Sequence, residues 1–147
     1  MLTQPQGEQE RRIVVGVDGS APSKAALSWA IRQAKLTGAV VEAVIAWHYL
    51  GAYGYPTPVP DDTDYEKLAA EVVTDTIAEV DGPVVINPKV VEGNPAAVLL
   101  AASAGAELLV VGSRGHGGFV EALLGSVSQH CVHHAQCPVV IIRDSNW

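Results

Sequence analysis

Cysteine is scarce in this chain. Cys131 and Cys137 are the only two in 147 residues, too few for the disulfide framework of a small secreted scaffold. Free thiols in a reducing compartment are the expectation. Long apolar runs are also missing, since no stretch approaches the ~18 residues of a membrane-spanning helix. Met1 to Arg12 is polar and lacks the apolar centre of a secretion signal. Residues 1–11 therefore read as a flexible tail, and the expected location is cytoplasmic. Positive charge is short too. Lys plus Arg is 9 against 16 Asp plus Glu, a net charge of −7. Such a surface repels phosphate backbones and anionic bilayers, so nucleic acid and membrane are poor partners. It does not exclude a small anion held by backbone N–H groups, whose dipoles act locally. Internal repeats and low-complexity tracts are absent.

Apolar residues, by contrast, make up 48% of the chain. That is enough to bury a core without disulfide or metal, and the length suits one domain, here residues 12–147. Short apolar runs alternate with helical patterns. Ile13 to Val17 is rich in β-branched residues and ends in the turn cluster Asp18-Gly19-Ser20. Ser20 and Pro22 then suit a helix start, Leu27, Ala30, Ile31 and Ala34 form one stripe, and Gly38 ends it. Val40 to Trp47 reads as a second strand. Residues 48–62 are rich in Gly, Pro and Tyr, without period, a loop of a length usually kept for function or left mobile. Thr63 and Glu66 have the spacing of a capping box before a second helix.

Val84 to Val91 reads as a third strand, and Pro88 within it asks for a sheet edge. Asn94-Pro95 opens a third helix, which Gly105 closes. Leu108 to Val111 is a fourth strand, followed by the glycine-rich segment Gly112 to Gly118 and a helical turn over Phe119 to Leu124. Ser126 and Gln129 pair as a second capping box, opening a helix to about His134, and Val139 to Ile142 is the last strand. Strands alternating with helices predict an α/β domain, a parallel sheet with helices on both faces.

Ligands of open parallel sheets bind beyond the carboxyl ends of the strands, where the strand order reverses. Two of those ends are rich in chemistry: Val17-Asp18-Gly19-Ser20, and Val111 followed by Gly112-Ser113-Arg114-Gly115. Glycine lets successive N–H groups approach one anion closely. Gly125-Ser126 begins the next helix, where free N–H groups and the helix dipole favour a phosphate. Two anion-binding features ten residues apart suggest a polyphosphate. A glycine-rich connection that binds nothing is the plain alternative. The chain is not a Walker P-loop, because the G-x4-G-K-[ST] lysine is missing.

The spacing Gly112-x2-Gly115-x9-Gly125-Ser126 resembles the nucleotide-binding signature of the universal stress protein family, G-x2-G-x9-G-[ST]. The opening Ile13 to Ser20, the loop Gly112 to Gly118 and the ending Cys137-Pro138-Val139-Val140-Ile141-Ile142 are similar to that family as well. The resemblance spans about Arg12 to Arg143. It implies a five-stranded parallel sheet in the order 3-2-1-4-5, and membership of the ATP-binding branch. It implies that Val17 walls the adenine, Asp18 meets the ribose or phosphates, and the backbone at Trp47 meets the adenine edge. Gly112 would touch the ribose, and Gly115, Gly125, Ser126 and Val127 would hold phosphates. Val111 and Arg114 complete the candidate set. A homodimer through strand 139–143 is also implied. The family usually has a smaller aliphatic residue where Trp47 stands.

Bland readings stand beside these. Asp18 at a turn can simply cap the next helix, and Arg114 can be a solvated loop arginine. His130, Cys131, His133, His134 and Cys137 invite a metal reading, and His130 and His134 lie four apart on one helical face. Paired Cys spacing or an acidic third ligand is not evident, so no metal site is expected. Three functions remain. The first is a binding module for ATP, with Mg²⁺, reporting stress or energy state. The second is a slow ATP hydrolase or phosphotransferase, for which His116 is the one candidate group. The third is a nucleotide-independent chaperone or interaction protein.

Overall fold

The computed structural model describes residues 11–48, 64–80, 82–114 and 124–143. The expected tail, most of the 48–62 loop, Thr63, and the segment with Gly115, His116 and the turn over 119–123 lie outside these residues. Five strands and four helices alternate: β1 Arg12–Gly16, α1 Ala21–Thr37, β2 Val40–Trp47, α2 Tyr65–Ala78, β3 Ile86–Glu92, α3 Pro95–Ala102, β4 Leu108–Gly112, α4 Ser126–His134 and β5 Val139–Ile142. The strands pair in parallel in the order β3-β2-β1-β4-β5.

Side-chain alternation along each strand divides the core in two. Ile13 and Val15 of β1, Val41, Ala43 and Ile45 of β2 and Val110 of β4 pack under α1 and α2. Val14, Val44, Leu109 and Val111 point the other way and meet Val98 and Leu99 of α3 and Cys131 of α4. Ile13, Val14 and Val15 are fully buried, as a central strand covered on both faces requires. Each such side chain contributes about 1.5–3 kcal/mol relative to an exposed one. At the far end of the sheet Arg12 donates to the carbonyls of Ala102 and Ala104 and pairs with Glu42, tying β1 and β2 to the end of α3.

The helix punctuation follows the side chains. Ser20 caps α1 by accepting from the Ser23 N–H, and Gly38 closes it in the left-handed region at φ 80°. Asn94 caps α3 through the Ala97 N–H at 3.2 Å. Two starts differ from expectation. Asp64 caps α2, its carboxylate accepting from the Lys67 N–H at 3.0 Å, so the box placed on Thr63 and Glu66 is displaced by one residue. Gly125 is the N-cap of α4, and among the described residues no side chain caps this helix. Gln129 instead turns back and donates to the Leu124 carbonyl at 3.0 Å. Helix α3 ends at Ala102, and Gly105, at φ 77°, belongs to the turn that follows. Strand β3 starts at Ile86 because its pairing with β2 begins there, opposite Val41. Pro88 lies on that edge strand, where its missing N–H removes no bond from a second neighbour.

Candidate functional site

β1 and β4 are neighbours whose following helices lie on opposite faces of the sheet, so their carboxyl ends open a crevice. After β1 the chain folds tightly. The Asp18 Oδ1 accepts from the Ser20 N–H at 2.9 Å and from the Ser20 hydroxyl at 2.5 Å. Gly19 supplies the positive φ, 82°, that this turn needs. The Ser23 hydroxyl donates to the Ser20 carbonyl and accepts from the Asp18 N–H. The turn therefore uses one carboxylate oxygen of Asp18, while the residue itself lines the crevice.

After β4 the chain leaves through a closed neck. The Ser113 N–H donates to the Ile142 carbonyl at 2.8 Å, and the Gly125 N–H returns to the Ser113 carbonyl at 2.7 Å. The Ser128 hydroxyl donates to the Gly112 carbonyl at 2.6 Å. These bonds seat the first turn of α4 against the end of β4, whatever path residues 115–123 take. A Cβ on Gly112 would stand 2.7 Å from the Pro22 Cβ and 2.8 Å from the Pro22 carbonyl carbon. Glycine is thus required there by packing against α1. A Cβ on Gly16 would stand 2.8 Å from a Leu99 methyl carbon.

Between these ends lies a cavity of about 250 Å³. Its floor is apolar: Val44 and Ala46 of β2, Leu99 of α3, Val111 of β4 and Val127 of α4. Its rim carries Asp18, Ser23, Arg114 and Ser128. Among the candidate residues, Val17, Asp18, Val111, Gly112, Arg114 and Val127 come together around this space. Gly125 and Ser126 stand beside it at the start of α4 without lining it, and Gly115 lies outside the described residues.

Trp47 is not in the lining. Its side chain packs with the α1/α2 core, because a strand alternates its faces, and its carbonyl accepts from the Gly93 N–H at 2.8 Å. Ala46, one residue earlier, faces the cavity in its place. Sequence reasoning missed Val44, Ala46, Pro95, Leu99, Ser23 and Ser128. Alternation could have found Val44 and Ala46 together, and helical spacing could have found Pro95 with Leu99, one turn apart on α3.

Near the cavity, Cys131 fills the core under α4. It is fully buried, and loss of hydration, with Cys137 adding to it, pushes its thiol up to about 11. At neutral pH it is a protonated apolar filler, without the thiolate character of a nucleophile.

The sequence and the fold around this crevice have parallels in known proteins. The model of the universal stress protein family matches residues 10–143. The chain belongs to the universal stress protein family. A universal stress protein of Mycolicibacterium smegmatis is 34% identical over 149 residues, covering 94% of this chain and 50% of its own length. The chain thus spans about half the length of the curated relatives it matches. A universal stress protein solved in complex with cAMP superposes with a TM-score of 0.60 at 25% identity, covering 90% of this chain and 95% of that one. An Arabidopsis thaliana family member with AMP bound superposes at 0.60 with 21% identity, covering 92% and 93%; at that identity the likeness shows the fold.

Proposed function

We propose that this universal stress protein binds an adenine nucleotide, ATP with Mg²⁺ before any other, as a stress-response or regulatory binding module. One observation carries the reading. The other three helices are each capped by a side chain, Ser20, Asp64 or Asn94, whereas α4 begins at Gly125 with none. Its first-turn N–H groups stand beside a cavity that Val127 and Ser128 help to line. A net charge of −7 repels polyphosphates at long range, so an anion needs such local dipoles to bind.

The residues divide the ligand by chemistry. The flat apolar base fits over Val44, Ala46, Leu99 and Val111 beside Val17. Asp18 faces the ribose hydroxyls. The α4 start at Gly125, Ser126 and Val127, with Gly112 and Gly115, takes the phosphates, and Arg114 supplies countercharge. Mg²⁺ bound with the nucleotide would neutralise phosphate charge beside this acidic chain. Relatives of the same fold solved with cAMP and AMP support an adenine nucleotide.

Calorimetric titration with ATP, ADP, AMP and cAMP, with and without Mg²⁺, tests the reading. Binding that Gly125→Val abolishes in a folded variant supports it, because a β-branched side chain would enter the phosphate space. No binding by the wild type at about 1 mM nucleotide, a free energy near −4 kcal/mol, rejects it. Steady-state hydrolysis at about 1 s⁻¹ or faster, in the range of ordinary enzymes, would replace the binding module with an enzyme.

A further inference from the structure

We infer that His130 and His134 form a two-imidazole site on α4 for a late first-row transition-metal ion such as Ni²⁺, Cu²⁺ or Zn²⁺. The two residues stand one turn apart on the exposed side of the helix. Their ring centroids are 5.1 Å apart, with the planes inclined by 41°. That distance is the decisive number. An ion held about 2.0–2.1 Å from one nitrogen of each ring places the ring centroids roughly 4.5–5.2 Å apart, between a right-angled and a tetrahedral arrangement. The pair already has the separation that shared coordination needs, and small rotations of exposed side chains suffice to aim the nitrogens.

The ligand chemistry narrows the ion. Imidazole suits Zn, Cu and Ni, whereas Mg²⁺ and Ca²⁺ prefer oxygen. Among the described residues no group of three or more His, Cys, Asp or Glu side chains is placed to hold a metal. The remaining coordination positions are therefore filled by water, and the site is exchangeable, unlike a closed four-ligand structural zinc centre. Its position in the last turn of α4 favours a cation, because the helix carbonyls there carry partial negative charge. The net charge of −7 acts in the same direction. His133 serves as the internal control. It is as exposed as its neighbours, but its ring lies 6.4 Å from that of His134, outside the roughly 4.5–5.2 Å of neighbouring coordination positions, and successive residues point roughly 100° apart around a helix. This site is independent of the nucleotide cavity and needs no nucleotide to fill it.

The test is a titration of the full chain with NiCl₂, thiols kept reduced, followed by calorimetry and by the histidine ring signals in proton NMR. One Ni²⁺ should bind, and it should broaden the His130 and His134 rings before those of His48, His116 and His133. His130→Ala and His134→Ala should each weaken binding by about tenfold or more, since the second imidazole acts at high effective concentration. His133→Ala should leave it unchanged, and MgCl₂ should produce no broadening of these rings. Wild-type affinity in His134→Ala, or first broadening at another histidine, overturns the assignment. The ring signals of the wild type decide the matter even if a variant fails to fold.

Discussion

Replacing Gly112 by alanine isolates a packing role from a ligand role. The new Cβ would lie 2.7 Å, 2.8 Å and 3.0 Å from the Cβ, carbonyl carbon and carbonyl oxygen of Pro22. Two of those atoms are backbone in the first turn of α1, so no side-chain rotation relieves the clash. Either α1 or the end of β4 must move by several tenths of an ångström. The Gly112 carbonyl is held by Ser128 and the next residue by the Ile142 carbonyl, which resists movement of β4. Forcing a methyl group into such a contact typically costs about 1–3 kcal/mol. At about 2–4 °C per kcal/mol for domains of this size, the ligand-free variant should melt roughly 2–12 °C below the wild type by circular dichroism. An unchanged melting temperature without ligand would refute the steric reasoning and leave Gly112 explained by nucleotide contact alone.

Ala46→Phe projects a ring into the cavity floor and should weaken adenine-nucleotide affinity by about tenfold or more, or about 1.4 kcal/mol, by calorimetry. Equal affinity would remove Ala46 from the base subsite. Cys131 is protonated in the fold up to about pH 11, against a reference value of 9.0. Between these values the unfolded chain has released the proton and the native state has not, so stability should fall as pH rises from about 9 through 11. Denaturant melts of the wild type minus Cys131→Ala across that window should show the slope; a flat difference contradicts it. Strand β5 is an edge with all four residues half-exposed, which invites antiparallel pairing with a second copy. We expect light scattering near twice 15.4 kDa and a monomer for Val140→Pro; a wild type at the single-chain mass rejects the edge argument.

Periodicity made most of the fold legible, because the interior is sorted by it. Leu27, Ala30, Ile31 and Ala34 mark the buried stripe of α1, and all four are buried. Pro88 pointed to a sheet edge and lies on one. The misplacements occurred where one residue type can do a neighbour's work. Asp64, next to Thr63 in sequence, is the cap of α2, and Ser126 looks like a cap although the cap of α4 is Gly125 and Ser126 is its first helical residue. The order 3-2-1-4-5 came from family resemblance; hydrophobic pattern alone does not choose between sheet permutations. The cavity was half legible. Strand ends and glycines marked its rim, but Leu99 and Ala46 form its floor from the middle of apolar runs, where nothing distinguishes a lining residue from a core residue. Trp47 is named for its backbone; its side chain turns to the α1/α2 core while Ala46 faces the cavity, because neighbouring strand residues face opposite sides of the sheet.

The start of α4 links these threads. A helix of nine residues gains little from propensity alone, and a Ser, Asp or Asn cap would have satisfied part of its orphan N–H set. The chain instead places glycine at the cap and holds the helix by other means. The Gly125 N–H bonds to the Ser113 carbonyl, the Ser128 hydroxyl to the Gly112 carbonyl, and the Gln129 amide to the Leu124 carbonyl. Cys131 anchors the buried side in the α3 core. Among the described residues these contacts fix the helix without a side-chain cap at its first turn. Stability drawn from the neck and the core makes a side-chain cap dispensable, and that division of labour is what the proposed phosphate site at this helix start would require.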